Sequence, residues 1–266
     1  MKKSKLFMAM MTVALAGVMF TGCGSKTTEA SGSDVQGADS GKKYLIACDA
    51  KYAPFSFEED GKYKGIDVEL LDAIAKEEGF EYELKPMDFS AVIPGLTSNQ
   101  LDGAIAGMSI TDERAEVLDF SDGYFDSGVS MVVNVSNTDI NSVDDLTGKK
   151  AAVKKGTAGS QFAEDNAEKY NLQLNYLEDS PTMFLDVENG NSDVLFEDYP
   201  VIAYKIKIEG GDAKLRIAGD KLTSVPYGFA VNKGQNAELL KQFNEGLAKL
   251  KENGKYDEIV NQYVGE

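Results

Sequence analysis

Across 266 residues the chain carries 44 acidic and 27 basic side chains, a net charge of −17, two cysteines and no histidine. The missing histidine excludes Ser-His-Asp and Cys-His catalysis and every His-ligated metal site. The acidic balance argues against nucleic acid, which needs a basic face, and suits a solvated extracytoplasmic surface.

The first element in chain order is a targeting segment. Residues 1–5 are basic and residues 6–20 apolar, the length of a signal h-region and short for a membrane span. Thr21-Gly22-Cys23 then places small residues before a cysteine. That junction resembles a lipoprotein signal, with Cys23 lipidated and first in the mature chain, although Phe20 stands where leucine is usual. The alternative is an ordinary cleaved signal with an incidental cysteine. Two acyl chains on Cys23 suffice for stable anchoring. Residues 24–43, rich in Ser, Thr, Gly, Ala and Asp, read as a flexible tether. The folded part begins near Tyr44, and its length suits one large or two modest domains. With Cys23 lipidated, Cys48 has no intramolecular partner and reads as a small buried hydrophobe.

Strands are expected at 44–48, 81–86, 103–107 and 129–133, alternating with helices at 67–78, 91–98 and 112–118. Val68, Leu71 and Ile74 mark an apolar stripe, Gly79 is a stop, and Pro94 shortens or bends the second helix. The pattern repeats with strands at 150–154, 173–177, 193–196 and 215–218 and helices at 160–170, 182–188 and 200–208. A strand at 227–231 and a helical tail at 237–263 finish the chain. Such repetition argues for an α/β chain with parallel or mixed sheets, split into two lobes.

One short stretch stands out. In AGMSITDERAEVLDFSDG (106–123), Arg114 sits in the first turn of a helix opened by Thr111. Acids, not arginines, suit that end of the helix dipole. An arginine beside backbone N–H groups there makes a pocket for a small carboxylate. A surface arginine paired with Glu113 or Glu116 is the alternative.

Ligands of α/β sheets sit at the carboxyl ends of strands. The unusual residues fall at those ends: Asp49; Asp88 and Phe89; Gly107, Met108 and Ser109; Lys154 and Thr157; Glu197 and Asp198. Cations, carboxylates, hydroxyls and aromatics converging on one rim match a zwitterion. It needs a cation for its carboxylate, an anion for its ammonium and apolar walls.

The motifs YAPFSF (52–57), GIDVELLDAIAKE (65–77), YELKPMDFSAVIPGL (82–96), AGMSITDERAEVLDFSDGYFDSG (106–128), VKKGTAGS (153–160) and ENGKYDEIVNQYVG (252–265) cover the folded region in order. Together they resemble the family 3 extracellular solute-binding proteins of polar amino acid ABC transporters, and among them most resemble the glutamine binders. The resemblance implies a two-lobed periplasmic-binding-protein fold, each lobe a mixed sheet flanked by helices, joined by two hinge strands and closing on the ligand. The first lobe would be discontinuous, 44–125 plus 225–266, and the second would be 126–224. A monomer that hands its ligand to ABC permease subunits, anchored outside the cell membrane, would follow; no cofactor, metal or catalysis is implied.

The resemblance also distributes roles. Arg114 would clamp the ligand carboxylate bidentately, where lysine would lose the fork. Thr157 and Ala158 would offer backbone N–H groups to the same carboxylate, Ala158 standing where glycine is common. The Gly107 carbonyl, the Ser109 hydroxyl (in place of a commoner threonine) and the Asp198 carboxylate would receive the ammonium. Tyr52 and Phe89 would sandwich the aliphatic part; ordinary core packing is their alternative. Asp49 and Lys154 would read a terminal amide, which offers both donor and acceptor. For Lys154 the alternative is a rim lysine. Glu197 stands where glutamine binders have histidine; it either favours a cationic or hydroxylated ligand or faces solvent.

Three functional classes stay open. The first is a transport receptor, for glutamine or for another amino acid such as arginine or cystine. The second is an enzyme of the related periplasmic dehydratase type, with Glu197 or Asp49 as acid or base. The third is a sensory binding domain.

Overall fold

A computed structural model describes residues 42–265. The expected signal, Cys23 and all but the last two residues of the expected tether lie outside the described residues. Lys42 and Lys43 belong to the fold. Lys43 opens the first strand, and the Lys42 ammonium meets the Asp102 carboxylate at 2.6 Å.

In chain order the strands are β1 (Lys43–Asp49), β2 (Lys51–Tyr52), β3 (Ser56–Glu59), β4 (Lys62–Lys64), β5 (Glu81–Met87), β6 (Gly103–Ala104), β7 (Leu118–Phe120), β8 (Phe125–Ser127), β9 (Val129–Asn134), β10 (Lys150–Lys154), β11 (Gln173–Leu177), β12 (Val194–Asp198), β13 (Leu215–Ala218), β14 (Val225–Tyr227) and β15 (Ala230–Asn232). The helices are α1 (Ile66–Glu78), α2 (Val92–Thr97), α3 (Asp112–Ala115), α4 (Ala158–Tyr170), α5 (Ser180–Glu188), α6 (Tyr199–Glu209), α7 (Ala237–Glu252) and α8 (Lys255–Val264).

Two five-stranded mixed sheets form, one in each lobe, as the sequence implies. The first runs β5-β1-β6-β15-β7 and the second β11-β10-β12-β9-β13. β1 pairs in parallel with β5 and β6, whereas β15 runs antiparallel to β6 and β7. β10 is parallel to β11 and β12, and β9 antiparallel to β12 and β13. Between the sheets the chain crosses twice, through β8 and β14, which pair antiparallel from Phe125↔Tyr227 to Ser127↔Val225.

The period of two along each strand divides the apolar residues between faces. Ile46 of β1 packs with Leu70, Leu71 and Ile74 of α1 and Phe243 and Leu247 of α7, while its neighbour Ala47 joins Val92 and Leu96 of α2. In the second sheet Val153 and Phe196 pack with Ala163 of α4, whereas Ala152 and Leu195 face Met183 and Val187 of α5. Side chains at the last positions of β10 and β12 therefore sort the same way, which positions the site.

Several elements depart from expectation. The helix expected at 112–118 stops at Ala115, because Leu118–Phe120 pairs with β15 as an edge strand. The strand expected at 103–107 keeps ladder pairing only over Gly103–Ala104; Gly107 at φ +54 turns the chain out of the sheet. The strand expected at 227–231 is divided into β14 and β15, and the tail breaks at Gly254, φ +79, between α7 and α8. Pro94 occupies the third position of α2, where its missing N–H has no helical partner to lose.

Candidate functional site

The site is built from loops at the strand ends of both lobes. In the first lobe β1 delivers Asp49, whose Oδ1 accepts the Lys51 N–H at 3.0 Å and whose carbonyl accepts the Ser56 hydroxyl at 2.6 Å. Gly107 carries the chain towards Ser109. A Cβ there would lie 2.4 Å from the Tyr52 ring, so glycine is what lets that ring lie on the backbone. Thr111 caps α3 by accepting the Arg114 N–H at 3.3 Å.

Arg114 is only 8% exposed. Its Nη1 donates to the Ser109 carbonyl at 2.9 Å and its Nη2 to the Gly156 carbonyl, from the other lobe, at 3.0 Å. The guanidinium lies 5.4 Å from the Phe89 ring centroid. Burial draws its pKa below the ordinary arginine value, opposed by the charge of Asp198. The alternative of a surface arginine paired with Glu113 or Glu116 does not survive this geometry. Two of its five N–H donors are used in these bonds, which leaves capacity for a carboxylate.

From the second lobe β10 delivers Lys154 and then Thr157, which caps α4 by accepting the Ser160 N–H at 3.1 Å. Lys154 is 1% exposed, which rules out the rim-lysine alternative. Its ammonium forms a buried ion pair with Asp49 of the other lobe. It also stands 4.4 Å from the Tyr52 ring centroid and 5.7 Å from that of Phe89. The two aromatics expected to sandwich a ligand thus flank the lysine here.

β12 ends in Glu197 and Asp198, which point to opposite faces. Asp198 Oδ2 accepts the Tyr52 hydroxyl at 2.7 Å and the Tyr227 hydroxyl at 2.6 Å. Burial, reinforced by the Asp198 charge, pushes both phenols far above their ordinary pKa. Glu197 is 4% exposed and does not face solvent. Its Oε1 accepts the Asp198 N–H at 2.9 Å, and its Oε2 has no hydrogen-bond partner among the described residues. Burial first, then the neighbouring Asp198, raises its pKa to about 7, against the pull of Lys154.

Nine of the residues singled out in the sequence, Tyr52, Phe89, Gly107, Ser109, Arg114, Lys154, Thr157, Ala158 and Asp198, line one cavity of about 10 Å³, room for about one water. A separate, wider cleft of about 270 Å³ shares Arg114, Thr157 and Ala158 with that lining. Three residues stand apart from that lining. Asp49 is held behind Lys154, Glu197 shares the α5 side of the sheet with Lys154 but is not in the lining, and the Met108 side chain is part of the core against α2. Sequence reasoning missed Tyr227, which carries no local motif and reaches Asp198 only because β14 crosses between the lobes. Among the described residues no cluster of acidic or cysteine side chains suits a metal.

The arrangement offers a guanidinium with spare donors, a helix N-terminus, a carboxylate ringed by phenols and a buried cation–anion pair. These groups are chemically complementary to a small molecule that bears a carboxylate, an ammonium and a polar tail, for which the cavity of about 10 Å³ has no room until the lobes part.

A family model described as "Bacterial extracellular solute-binding proteins, family 3" matches residues 44–266. The "Probable histidine-binding protein" of Neisseria gonorrhoeae is 32% identical over 257 residues, 96% of this chain and 94% of that one. Among solved structures, an ancestral arginine-binding protein bound to arginine is 36% identical with a TM-score of 0.78, spanning 84% of this chain and 98% of its own. The structure of an ancestral arginine-binding protein bound to glutamine gives 0.77 at the same identity and the same coverage.

Proposed function

The chain belongs to the family 3 bacterial extracellular solute-binding proteins, and from that footing we propose that it captures a polar L-amino acid outside the cell, with glutamine the leading ligand, and delivers it to an ABC permease. The observation that carries the choice of ligand is the buried Asp49–Lys154 pair beside the cavity. A glutamine amide inserted between those partners would accept from Lys154 and donate to Asp49, and the site's net charge would not change. A site that pairs both would reject an analogue that leaves one buried and unpaired.

In this reading the ligand carboxylate meets Arg114 and the N-terminus of α4. Its ammonium meets Asp198, Ser109 and the Gly107 carbonyl. Entry requires the lobes to part about β8 and β14, and Lys154 to leave the Tyr52 ring. Closure is stabilised because the ligand touches both lobes. Cys23 would tether the receptor to the membrane by lipid, with the lobes spanning 44–125 plus 225–266 and 126–224.

A second reading, a cationic ligand such as arginine, is favoured by Glu197, a buried carboxylate near enough to Lys154 to feel its charge, whose Oε2 has no hydrogen-bond partner among the described residues. The solved relative bound to arginine and the one bound to glutamine support keeping both. Dehydratase chemistry is disfavoured. Its best base by pKa, Glu197, stands outside the cavity lining, and Asp49 is tied to Lys154. Calorimetric titration of the full chain against the twenty common amino acids tests the proposal. Heat from glutamine alone supports it, heat from arginine alone favours the second reading, and heat from neither sinks both.

A further inference from the structure

Asp67 is a carboxylate that the site as described does not use. It is the second residue of α1, has no solvent exposure, and its Oδ2 accepts the Gly107 N–H at 2.8 Å while its Oδ1 accepts the Tyr124 hydroxyl at 2.7 Å. Its own N–H donates to the Phe55 carbonyl at 2.9 Å, so the residue is fixed from both ends. A carboxylate in the first turn of a helix is favoured by the dipole, and its charged hydrogen bonds are stronger than neutral ones.

The two partners lie on different parts of the machinery. Gly107 opens the segment 107–109 that reaches the cavity. The segment is pinned on its other side by the Gly228 N–H, which donates to the Met108 carbonyl at 2.9 Å, and by a bridge from Ser109 to Tyr227. Tyr124 directly precedes the first crossing strand. Its N–H donates to the Tyr227 carbonyl at 2.9 Å, and its carbonyl accepts the Tyr256 hydroxyl at 2.6 Å. One buried carboxylate therefore ties the start of the ligand segment to the root of the hinge.

We propose that Asp67 is a positioning residue for ligand capture: it sets the Ala106–Gly107 peptide, and through it the placement of Ser109 and the Gly107 carbonyl, and couples that placement to Tyr124 at the base of β8. The proposal rests on the reading that segment 107–109 receives an α-ammonium. Both partners of Asp67 donate, so a side chain without an acceptor frees both. Asparagine keeps one acceptor for Gly107 and turns a donor towards the phenol, which can accept it. Because the effect acts on the ammonium end, it is indifferent to the ligand's side chain.

The test compares the full chain with Asp67→Ala, Asp67→Asn and Tyr124→Phe. It uses calorimetry with L-glutamine and L-arginine as probes and residue-resolved amide exchange at Gly107. Asp67→Ala is expected to weaken every probe the wild type binds by one common factor, about 10- to 100-fold. Exchange at Gly107 quickens while that of Ile46 in β1 is unchanged. Asp67→Asn recovers part of both losses. Tyr124→Phe keeps Gly107 protected and weakens binding less than Asp67→Ala. Should Asp67→Ala fail to fold, Asp67→Asn carries the test with a smaller common loss. A wild type that binds while the Asp67 variants bind equally well, or with Gly107 equally protected, overturns the positioning role alone. A wild type that binds no amino acid overturns the reading of the site, and this proposal with it.

Discussion

The Tyr52 hydroxyl donates to the Asp198 carboxylate at 2.7 Å, and the two residues stand 146 positions apart on opposite lobes. With the Tyr227 hydroxyl on the same oxygen, Asp198 already has the donors that a ligand's ammonium would otherwise supply. Asp198→Asn keeps the shape and removes the charge. It should weaken all amino acid ligands by about 10- to 100-fold in calorimetric titration. Unchanged affinity would remove Asp198 from the site.

Arg114 spans the lobes through carbonyls of Ser109 and Gly156. Arg114→Lys retains charge but not the planar fork, so it should lose at least about tenfold in affinity. Arg114→Ala should lose more, and the loss should be alike for glutamine, arginine and histidine because the carboxylate is common to them. A loss confined to one ligand would place Arg114 at the tail end instead.

Lys154→Met leaves Asp49 buried without its cation, a change that costs about 3–5 kcal/mol. Its melting temperature should fall, and the double variant Asp49→Asn/Lys154→Met should recover most of that fall. Neither variant should regain glutamine binding if the pair reads the amide. Equal losses for every amino acid in the thermally restored double variant would sink that assignment.

Stability should fall as pH rises through the weakly acidic range. Burial raises the Asp67 carboxyl from 3.8 to about 7, and burial with Asp198 raises Glu197 from 4.5 to about 7. Between those values the folded chain holds protons that the unfolded chain has released. The slope of unfolding free energy with pH is therefore negative up to about 7 and flat beyond. Below that window the sign reverses, because Asp119 and Asp145, lowered by hydrogen bonds from backbone N–H groups, lose their stabilisation as they protonate. A melting series from pH 4.5 to 8 should be highest at its acid end and decline up to about pH 7. Asp67→Asn and Glu197→Gln should each flatten the decline, and a wild type whose melting point rises towards pH 7 contradicts it.

Much of the fold was legible because its signals are local. The stop at Gly79, the helix openings at Thr111 and Thr157 and the apolar runs of β1 and β10 each act within a few residues, and each appears at or near its expected place; of the expected α1 stripe, Leu71 and Ile74 are buried while Val68 is only half-buried. The misreadings are equally instructive. Residues 118–120 have a helical neighbourhood, yet pairing with β15, more than a hundred residues away, makes them a strand.

At the site, the sequence alone determined the chemical kinds of residue at the strand ends and that an arginine stands in the first turn of a capped helix. It left open whether Arg114 and Lys154 were surface charges, and only the tertiary structure decided that both are buried. The same structure put Tyr227 on Asp198, turned Glu197 to the opposite face of its strand and tied Gly107 to Asp67. The reason is one of range. Periodicity, capping and turn chemistry are set by neighbours along the chain. Burial and charge pairing depend on which strands the two crossings bring together, and no short stretch carries that information.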